Sequence, residues 1–446
     1  MRRIWIIACV AVLASCGGEP TTPTVTPPVT PPVTPPVTPP VTPPSQQEIP
    51  ITGAAVPGME SYDSVFTALM RKHSLPGGAV AVMYNGKLIY ARGFGYADVE
   101  NKKLVQPDAL FRVASISKPI TSAAIMKLVE EGKLDANLNE RVAPFLADLA
   151  PAQGATVDPR WEQITIRQLL NHTAGWDRTK PPGDAMDRGL VAAATVKAPY
   201  PASAETIIRY MKGVPLDFNP GEKWVYSNFG FAILGYVIEK LSGMPYEEYV
   251  RTRVLLPVGA IRTRSGKTRM SDAFPDEVKY YWPGSMSVNT PMVSSIFAGE
   301  GLVPLNYGGY YMEAMYASGA TVSSTIDLLR FVGGIDGRPS RPDILSTNLI
   351  AQMTSNIDGG VACAGGACHY AGGWWVRPMA FDAIWWHGGT LPGSNGMLVR
   401  TSNDFAMVSL FNTRSDNLEL EMYDALFNAL NTVTALPTHD LFSTFR

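Results

Sequence analysis

Strand-like runs lie at both ends of the main body of this sequence, and helical patterns fill the stretch between them. Residues 78–84 and 88–94 are apolar and β-prone, and Asn85-Gly86 between them is typical of a tight hairpin turn. Near the other end, turn residues separate four more short runs, at 373–377, 382–386, 397–401 and 405–412. The pattern predicts an α+β fold, in which one antiparallel sheet is built from both ends of the chain and a mainly helical lobe is inserted.

Amphipathic spacing predicts the helices of this fold, at 62–72, 166–170, 204–211, 228–241, 325–331 and 418–430. Helices flank the sheet in this arrangement, and the inserted lobe faces it. We expect a functional site in the cleft between the sheet and the helical lobe.

The first fifty residues carry export signals. Arg2 and Arg3 precede a short apolar run that closes with Leu-Ala-Ser-Cys16, and such a run is too short to span a membrane permanently. This ending resembles a bacterial lipobox, in which Cys16 would be acylated and become the new N-terminus; an ordinary signal peptide is the alternative. Acylation by more than one chain anchors a protein stably. We therefore predict a lipoprotein signal peptide at 1–15 and a bacterial cell-envelope protein, held at the membrane (the outer membrane) on its periplasmic or extracellular side.

Residues 16–50 are predicted to form a linker, and residues 57–435 the folded domain. Val-Thr-Pro-Pro is repeated five times from Val25 to Pro44. Paired prolines fix φ and remove N–H donors, which excludes a helix or a central strand. In a polyproline II conformation of ~3.1 Å per residue, these twenty residues reach roughly 60 Å and would hold the domain away from a membrane.

Composition and cysteine usage narrow the possible partners. The net charge of −2 and the pI near 6.2 give no electrostatic basis for nucleic-acid binding.

Cys363 and Cys368 bracket a short loop, which in an exported protein predicts a local disulfide; a metal site with the adjacent His369 is the alternative. We predict no cofactor and no metal.

Ser115 and Lys118 are the first candidate catalytic residues. They lie three apart at the start of an apolar helical pattern, so their side chains would share one face of its first turn. A serine attacks only when its proton is removed, and a buried lysine with a lowered pKa can share that task. One Ser-x-x-Lys is also expected by chance, so the assignment depends on partners elsewhere in the chain.

Two further motifs supply such partners. Tyr226 and Asn228 form the only Tyr-x-Asn of the chain, and a tyrosine whose pKa is lowered by nearby cations can exchange a proton with the serine. A buried aromatic beside an N-cap asparagine is the alternative. His387-Gly388-Gly389-Thr390 ends the strand-like run 382–386, where the backbone N–H groups of a bare strand edge can bind an oxyanion. A hydrogen-bonded core histidine is the alternative for His387.

The ordered triple Ser115-x-x-Lys118, Tyr226-x-Asn228 and His387-Gly-Gly resembles the serine hydrolases of the class C β-lactamase and penicillin-binding-protein type. This group includes D-alanyl-D-alanine carboxypeptidases and family VIII esterases. Further stretches that look like family blocks lie at 77–82, 164–175, 220–228 and 318–327. The resemblance covers about residues 60–430 and implies a β-lactamase/transpeptidase-like fold.

The resemblance also implies an acyl-enzyme mechanism. Ser115 would attack a carbonyl while Lys118 and Tyr226 share its proton, and the spacing leaves open which of the two is the base. The oxyanion would lie between the backbone N–H groups of Ser115 and Thr390, and Asn228 and His387 would contact substrate. Tyr226 would then protonate the leaving group.

One departure from the family pattern bears on the substrate. Class C β-lactamases carry Lys-Thr-Gly where this chain has His-Gly-Gly, and histidine is only partly charged near neutral pH. We therefore expect cleavage of carboxylic esters or small amides. The alternatives are a D-alanyl-D-alanine carboxypeptidase or D-amino-acid peptidase with weak β-lactamase activity, and a penicillin-binding protein without turnover.

The paired tryptophans at 374–375 and 385–386 line an acyl pocket in one interpretation and belong to the core in the other.

Overall fold

A computed structural model describes residues 48–284, 287–288, 291–356, 363, 367–415 and 417–445 of the chain. The predicted signal peptide, the lipidation residue Cys16 and the Val-Thr-Pro-Pro repeats lie outside these residues. Within them, no helix combines the length and the apolar character needed to cross a membrane.

Helices occupy the middle of the described chain and flank its ends. In chain order they are α1 (Glu60–His73), α2 (Ser117–Glu130), α3 (Ile166–Leu170), α4 (Gly189–Val196), α5 (Ala204–Met211), α6 (Asn228–Ser242), α7 (Tyr246–Val250), α8 (Thr325–Gly333), α9 (Thr347–Thr354) and α10 (Leu418–Asn431).

The strands cluster toward the two ends of the described chain. They are β1 (Ile51–Thr52), β2 (Gly77–Tyr84), β3 (Lys87–Asp98), β4 (Lys103–Leu104), β5 (Phe111–Arg112), β6 (Arg264–Ser265), β7 (Met292–Ser294), β8 (Leu302–Pro304), β9 (Thr321–Ser323), β10 (His369–Ala371), β11 (Trp374–Pro378), β12 (Ala383–Leu391), β13 (Ser394–Arg400) and β14 (Phe405–Phe411).

The main sheet joins the beginning of the fold to its end. Its order is β1-β3-β2-β14-β13-β12-β11-β10, with β4 paired to β3, and every pairing is antiparallel. The two ends of the chain meet where β2 pairs with β14, in which Gly78 lies opposite Phe411 and Tyr84 opposite Phe405. This sheet and its flanking helices confirm the predicted α+β, β-lactamase/transpeptidase-like fold.

Alternation along β2 explains why helices cover both faces of the sheet. Val80 and Val82 point into one core cluster together with Tyr62 of α1 and Leu426 of α10. The residues between and beside them, including Ala81, belong to a second cluster that is shared with α2, α8 and the helical lobe. Because successive side chains of a strand point to opposite faces, an apolar run without polar interruptions is buried on both sides.

The strand that carries the third motif is longer than predicted. The glycines after His387 predicted that the strand ends before this motif. In the structure β12 continues to Leu391, because its pairing with β13 extends up to the pair Leu391–Ser394. His387, Gly388, Gly389 and Thr390 therefore lie within a strand. Beyond Trp386 the opposite edge of β12 has no partner in β11, whose pairing covers 383–386 only.

The folded part of the chain extends beyond the predicted domain limits of 57–435. On the N-terminal side, β1 pairs with β3. On the C-terminal side, the Phe442 side chain is buried, and its carbonyl accepts a hydrogen bond from Arg330 at 2.9 Å. Both segments are too short to give a periodic pattern.

The two cysteines of the body are bonded to each other. Cys363 and Cys368 form a disulfide with a Cα–Cα distance of 5.1 Å. The neighbouring His369 side chain contacts the carbonyl of Thr354 at 2.8 Å. Within the described residues, no group of three or more His, Cys, Asp or Glu side chains is arranged to hold a metal ion.

Candidate active site

Ser115 lies on a tight turn immediately before α2. A 3₁₀ turn covers Ala114–Ile116, and Ala114 has a φ of 50°, in the left-handed region that costs about 1 kcal/mol for a residue with a Cβ. The turn is held in place because the N–H of Val113 donates to the carbonyl of Thr321 at 2.9 Å. Ser115 is partly exposed in an otherwise buried segment, as a nucleophile must be.

Lys118 is fully buried and makes three polar contacts. Its Nζ lies 3.1 Å from Oγ of Ser115, 2.8 Å from Oδ1 of Asn228 and 2.7 Å from the carbonyl oxygen of Ser318. The last two partners are acceptors only. In its neutral form the amine has two N–H groups and one lone pair, and when both hydrogens go to these acceptors the lone pair is left for the serine hydroxyl.

The orientation of Asn228 is set by a carboxylate that the sequence motifs did not reveal. Nδ2 of Asn228 donates to Oδ2 of Asp184 at 2.9 Å. An ionised carboxylate only accepts hydrogen bonds, so the amide nitrogen must face Asp184 and the amide oxygen must face Lys118. Asp184 is buried, and Arg178 lies 3.5 Å from the same oxygen.

The environment of Lys118 favours its neutral form. Burial lowers the pKa of Lys118 well below its ordinary value of 10.5; the negative charge of Asp184 raises it in part, and the charge of Arg178 lowers it further. A lysine with a lowered pKa holds an available lone pair at lower pH than an ordinary one.

Tyr226 contacts the nucleophile, but its pKa shifts in the direction opposite to the prediction. Burial raises the pKa of Tyr226 above its ordinary value of 10.0, although the hydrogen bond to Ser115 and the charge of Arg178 act to lower it. Nζ of Lys118 lies 4.7 Å from the centre of the Tyr226 ring. The expectation that cations lower this pKa is wrong, because desolvation of a buried phenolate outweighs them. Tyr226 is therefore a neutral phenol that can donate or relay a proton.

His387 is buried, and hydrogen bonds define its tautomer. Its Nδ1 lies 2.5 Å from the carbonyl of Gly388, so Nδ1 carries the hydrogen, and Nε2 then accepts from the hydroxyl of Tyr370 at 3.1 Å. Burial, reinforced by neighbouring Lys118, lowers the pKa of His387 to about 3. The side chain is consequently uncharged at neutral pH, rather than partly charged as expected from its ordinary pKa.

The glycine at 389 is required by contacts within the protein. A Cβ on Gly389 would overlap the backbone carbonyl oxygen of Val113, whereas one on Gly388 would meet only the end of the Glu419 side chain, which can move. Close packing of β12 against the Ser115 turn therefore needs glycine here. Thr390 follows them, and its hydroxyl donates to Glu419 at 3.2 Å and accepts from Asn395 at 2.9 Å.

The predicted residues, except Gly389, which packs against Val113, share one pocket of about 440 Å³ between the sheet and the helical lobe. Ser115, Tyr226, Asn228, His387, Gly388 and Thr390 line it, and Lys118 lies directly behind Ser115. Sequence reasoning missed Arg178, Arg414 and Glu419, which also line the pocket. Burial raises the pKa of the Glu419 carboxyl. The position of Glu419 in an amphipathic helix gave no sign that it faces the site.

The geometry defines a serine nucleophile with a lysine behind it, a tyrosine beside it and a strand edge facing it, which is the arrangement of a serine hydrolase with a β-lactamase/transpeptidase-like fold. The model of the family described as Beta-lactamase matches residues 62–430. The chain therefore belongs to the Beta-lactamase family and is a serine hydrolase, which confirms the resemblance inferred from the three motifs.

Three similar proteins illustrate the range of this family. Penicillin-binding protein 4* of Bacillus subtilis (strain 168) is 28% identical over 370 residues, which are 80% of this chain and 72% of that protein. The structure of EstCE1, a hydrolase with promiscuous acyltransferase activity, has a TM-score of 0.64 at 20% identity, over 84% of this chain and 99% of its own. The structure of the D-stereospecific amidohydrolase from Streptomyces sp. has a TM-score of 0.58 at 22% identity, over 80% of this chain and 94% of its own. The two structures share the fold.

Proposed function

We propose that this protein cleaves carboxylic esters or small amides through an acyl-enzyme on Ser115. The observation that carries the proposal is the hydrogen-bond pattern at Lys118, whose two acceptor partners leave a lone pair for the Ser115 hydroxyl at 3.1 Å. Lys118 is then the base that accepts the serine proton as Oγ attacks the carbonyl carbon. The burial that lowers the pKa of Lys118 supports this assignment.

Tyr226 acts in the next step of the proposed mechanism. As the tetrahedral intermediate collapses, the bond to the leaving oxygen or nitrogen breaks, and that atom takes a proton from the Tyr226 hydroxyl; the proton that Lys118 took from Ser115 then replaces it on the Tyr226 oxygen. The backbone N–H groups of Ser115 and Thr390 hold the oxyanion meanwhile. Water then attacks the acyl-enzyme, releases the acid and restores Ser115.

The neutral His387 favours esters and small amides over β-lactams. A penicillin carries a carboxylate, and the family's lysine at this position would supply a cation for it. His387, with a pKa of about 3, supplies none at neutral pH. EstCE1 and the amidohydrolase, which are described as hydrolases of this fold, are consistent with such substrates.

A D-peptide substrate is the second candidate, and Arg414 is the observation that favours it. This exposed arginine lines the catalytic pocket together with Ser115. A guanidinium can bind the terminal carboxylate of a D-alanyl-D-alanine peptide, in place of the missing lysine. The Streptomyces protein, described as D-stereospecific, acts on substrates of the same handedness.

Parallel assays on the full-length chain separate these functions. We expect short-chain p-nitrophenyl esters to be hydrolysed with a kcat/KM at least about a hundredfold above that for penicillin, since His387 gives the penicillin carboxylate no cation at the position of the family's lysine, a contact worth roughly 3 kcal/mol. Release of D-alanine from D-alanyl-D-alanine peptides at a higher kcat/KM than ester hydrolysis would instead identify a carboxypeptidase. A stable penicillin adduct on Ser115, without turnover of any ester or peptide, would identify a binding protein.

We also propose that the enzyme is exported and anchored in the bacterial envelope through acylated Cys16. The apolar run that ends in Leu-Ala-Ser-Cys16 and the proline-rich linker that follows support this. In bacteria we expect the wild-type chain in the membrane fraction and the detergent phase of a Triton X-114 separation, and the Cys16→Ser variant outside both. An unmodified N-terminus at another residue, found by mass spectrometry of the mature wild-type protein, would contradict the anchor.

A further inference from the structure

A second cavity, of about 200 Å³, adjoins the catalytic pocket. Its walls are mostly apolar and come mainly from the sheet and from α10: Trp375, Trp386, Met397, Leu420 and Tyr423. Cys363 and Arg377 complete them, and the Arg377 guanidinium lies 5.5 Å from the centre of the Trp386 ring. Trp375 and Glu419 line both this cavity and the catalytic pocket, so the two spaces meet at these side chains. We call this space the aromatic cavity.

A row of aromatic rings connects the aromatic cavity to the catalytic tyrosine. Between ring centres, Tyr226 lies 6.5 Å from Trp224, Trp224 lies 5.6 Å from Trp375, and Trp375 lies 6.2 Å from Trp386, at an interplanar angle of 16°. Trp386 in turn lies 5.7 Å from Tyr423 of α10. These distances are those of interacting ring pairs, so the rings support each other as one apolar surface.

Strand alternation separates the four tryptophans into two pairs with different environments. Trp374 is 0% exposed and Trp385 is 4% exposed, and both belong to the core. Trp375 and Trp386 point to the opposite face, are partly exposed and line the aromatic cavity. The sequence suggested an acyl pocket or the core for these tryptophans; in the structure Trp374 and Trp385 lie in the core, and Trp375 and Trp386 line the aromatic cavity.

The position of the aromatic cavity relative to the proposed chemistry indicates which part of a substrate it receives. In β12, Trp386 and His387 lie at one end of the site, and Thr390, with its oxyanion N–H, lies at the other. The ring of Tyr226 is 6.4 Å from His387, at the first of these ends. A leaving group that takes its proton from Tyr226 therefore departs toward the aromatic row and away from Thr390.

We propose that the aromatic cavity binds a bulky apolar leaving group, the alcohol part of an ester or the amine part of an amide. This inference rests on the proposed ester and amide hydrolysis at Ser115. A cavity of about 200 Å³ has room for one phenyl ring or a branched alkyl group, which could contact the faces of Trp386 and Tyr423. The enzyme would then select its substrates by what they release.

Two ester series on the full-length chain test the assignment. The first series varies the leaving group at constant acyl group: methyl, butyl and benzyl acetate, whose alcohols have similar basicity. The second varies the acyl group at constant leaving group: methyl acetate and methyl phenylacetate. In the Trp386→Ala variant, we expect the kcat/KM ratio of benzyl to methyl acetate to fall about tenfold, the upper range for a lost aromatic contact. The methyl phenylacetate to methyl acetate ratio should stay the same.

A filling variant tests the cavity without removing a packed side chain. Leu420 is 42% exposed on α10, so Leu420→Trp should fold normally and lower the kcat/KM ratio of benzyl to methyl acetate. Leu302→Trp is the matched control, since Leu302 is 66% exposed on β8 and lines neither cavity. Changes in the acyl series alone, or in neither series, would overturn the assignment to the leaving group. If the wild-type protein hydrolyses no ester in either series, the proposed function fails and this inference fails with it.

Discussion

Replacing Ser115 by Ala is expected to lower kcat/KM for esters by at least about 10⁴-fold, because without Oγ no acyl-enzyme can form. The folded state should be retained, since the substitution removes one partly exposed hydroxyl. A fluorophosphonate probe should label the wild-type protein at Ser115 and leave the variant unlabelled. Esterase activity that survives in the variant, or a label on another residue, would contradict the site assignment.

Ser122→Ala is the matched control for this experiment. Ser122 lies on α2, one turn beyond Lys118, and its buried hydroxyl has no hydrogen-bond partner among the described residues. The same atomic change on the same helix should therefore leave both ester turnover and probe labelling at wild-type levels. The comparison separates the loss of a nucleophile from a general effect on the packing of α2.

Replacing Lys118 by Met is expected to lower kcat by about 10³-fold, since proton transfer by a positioned side chain contributes 10²–10⁴-fold. The base must be neutral to act, so wild-type kcat should rise with pH through the lowered pKa of Lys118. This acid limb should be absent from the residual activity of Lys118→Met. An unchanged acid limb in the variant would show that another group is the base.

Two neighbouring charges should move this acid limb in opposite directions. The Asp184 carboxylate favours protonated Lys118, so Asp184→Asn should shift the limb to lower pH, and it should also lower the plateau because Asn228 loses its fixed orientation. Arg178 disfavours protonated Lys118, so Arg178→Gln should shift the limb to higher pH. If Asp184 acted only in folding, Asp184→Asn would lower the plateau of kcat without shifting the acid limb. The pH profile of kcat therefore distinguishes an electrostatic role of Asp184 from a purely structural one.

The sequence predicted those parts of the site that depend on local spacing. Ser115 and Lys118 are one turn apart, so any helix beginning here brings them together. Tyr226 and Asn228 were recognised because they are unique as a pair and lie at the start of a predicted helix. The sheet followed from apolar runs at both ends of the chain, whose pairing the structure confirms.

The features that could not be predicted from the sequence depend on contacts between distant residues. Asp184 lies 44 positions from Asn228, in a loop without periodicity, and nothing local marks it as the partner of that amide. The pKa shifts of Tyr226 and His387 follow from burial, which the three-dimensional packing determines. The end of β12 was misjudged because glycine weakens a strand by itself, whereas seven aligned pairs with β13 hold this one.

The pairing of β2 with β14 has a consequence for how the protein reaches its native state. Tyr62 of α1 contacts Met407 of β14 across 345 residues, so the central strand of the sheet is synthesised long after its neighbour. A nascent chain lacking β14 leaves the edge of β2 and the apolar face of α1 uncovered. Such a high contact order makes folding slow and places its completion after the end of translation. The polypeptide thus leaves the ribosome before its main sheet is complete.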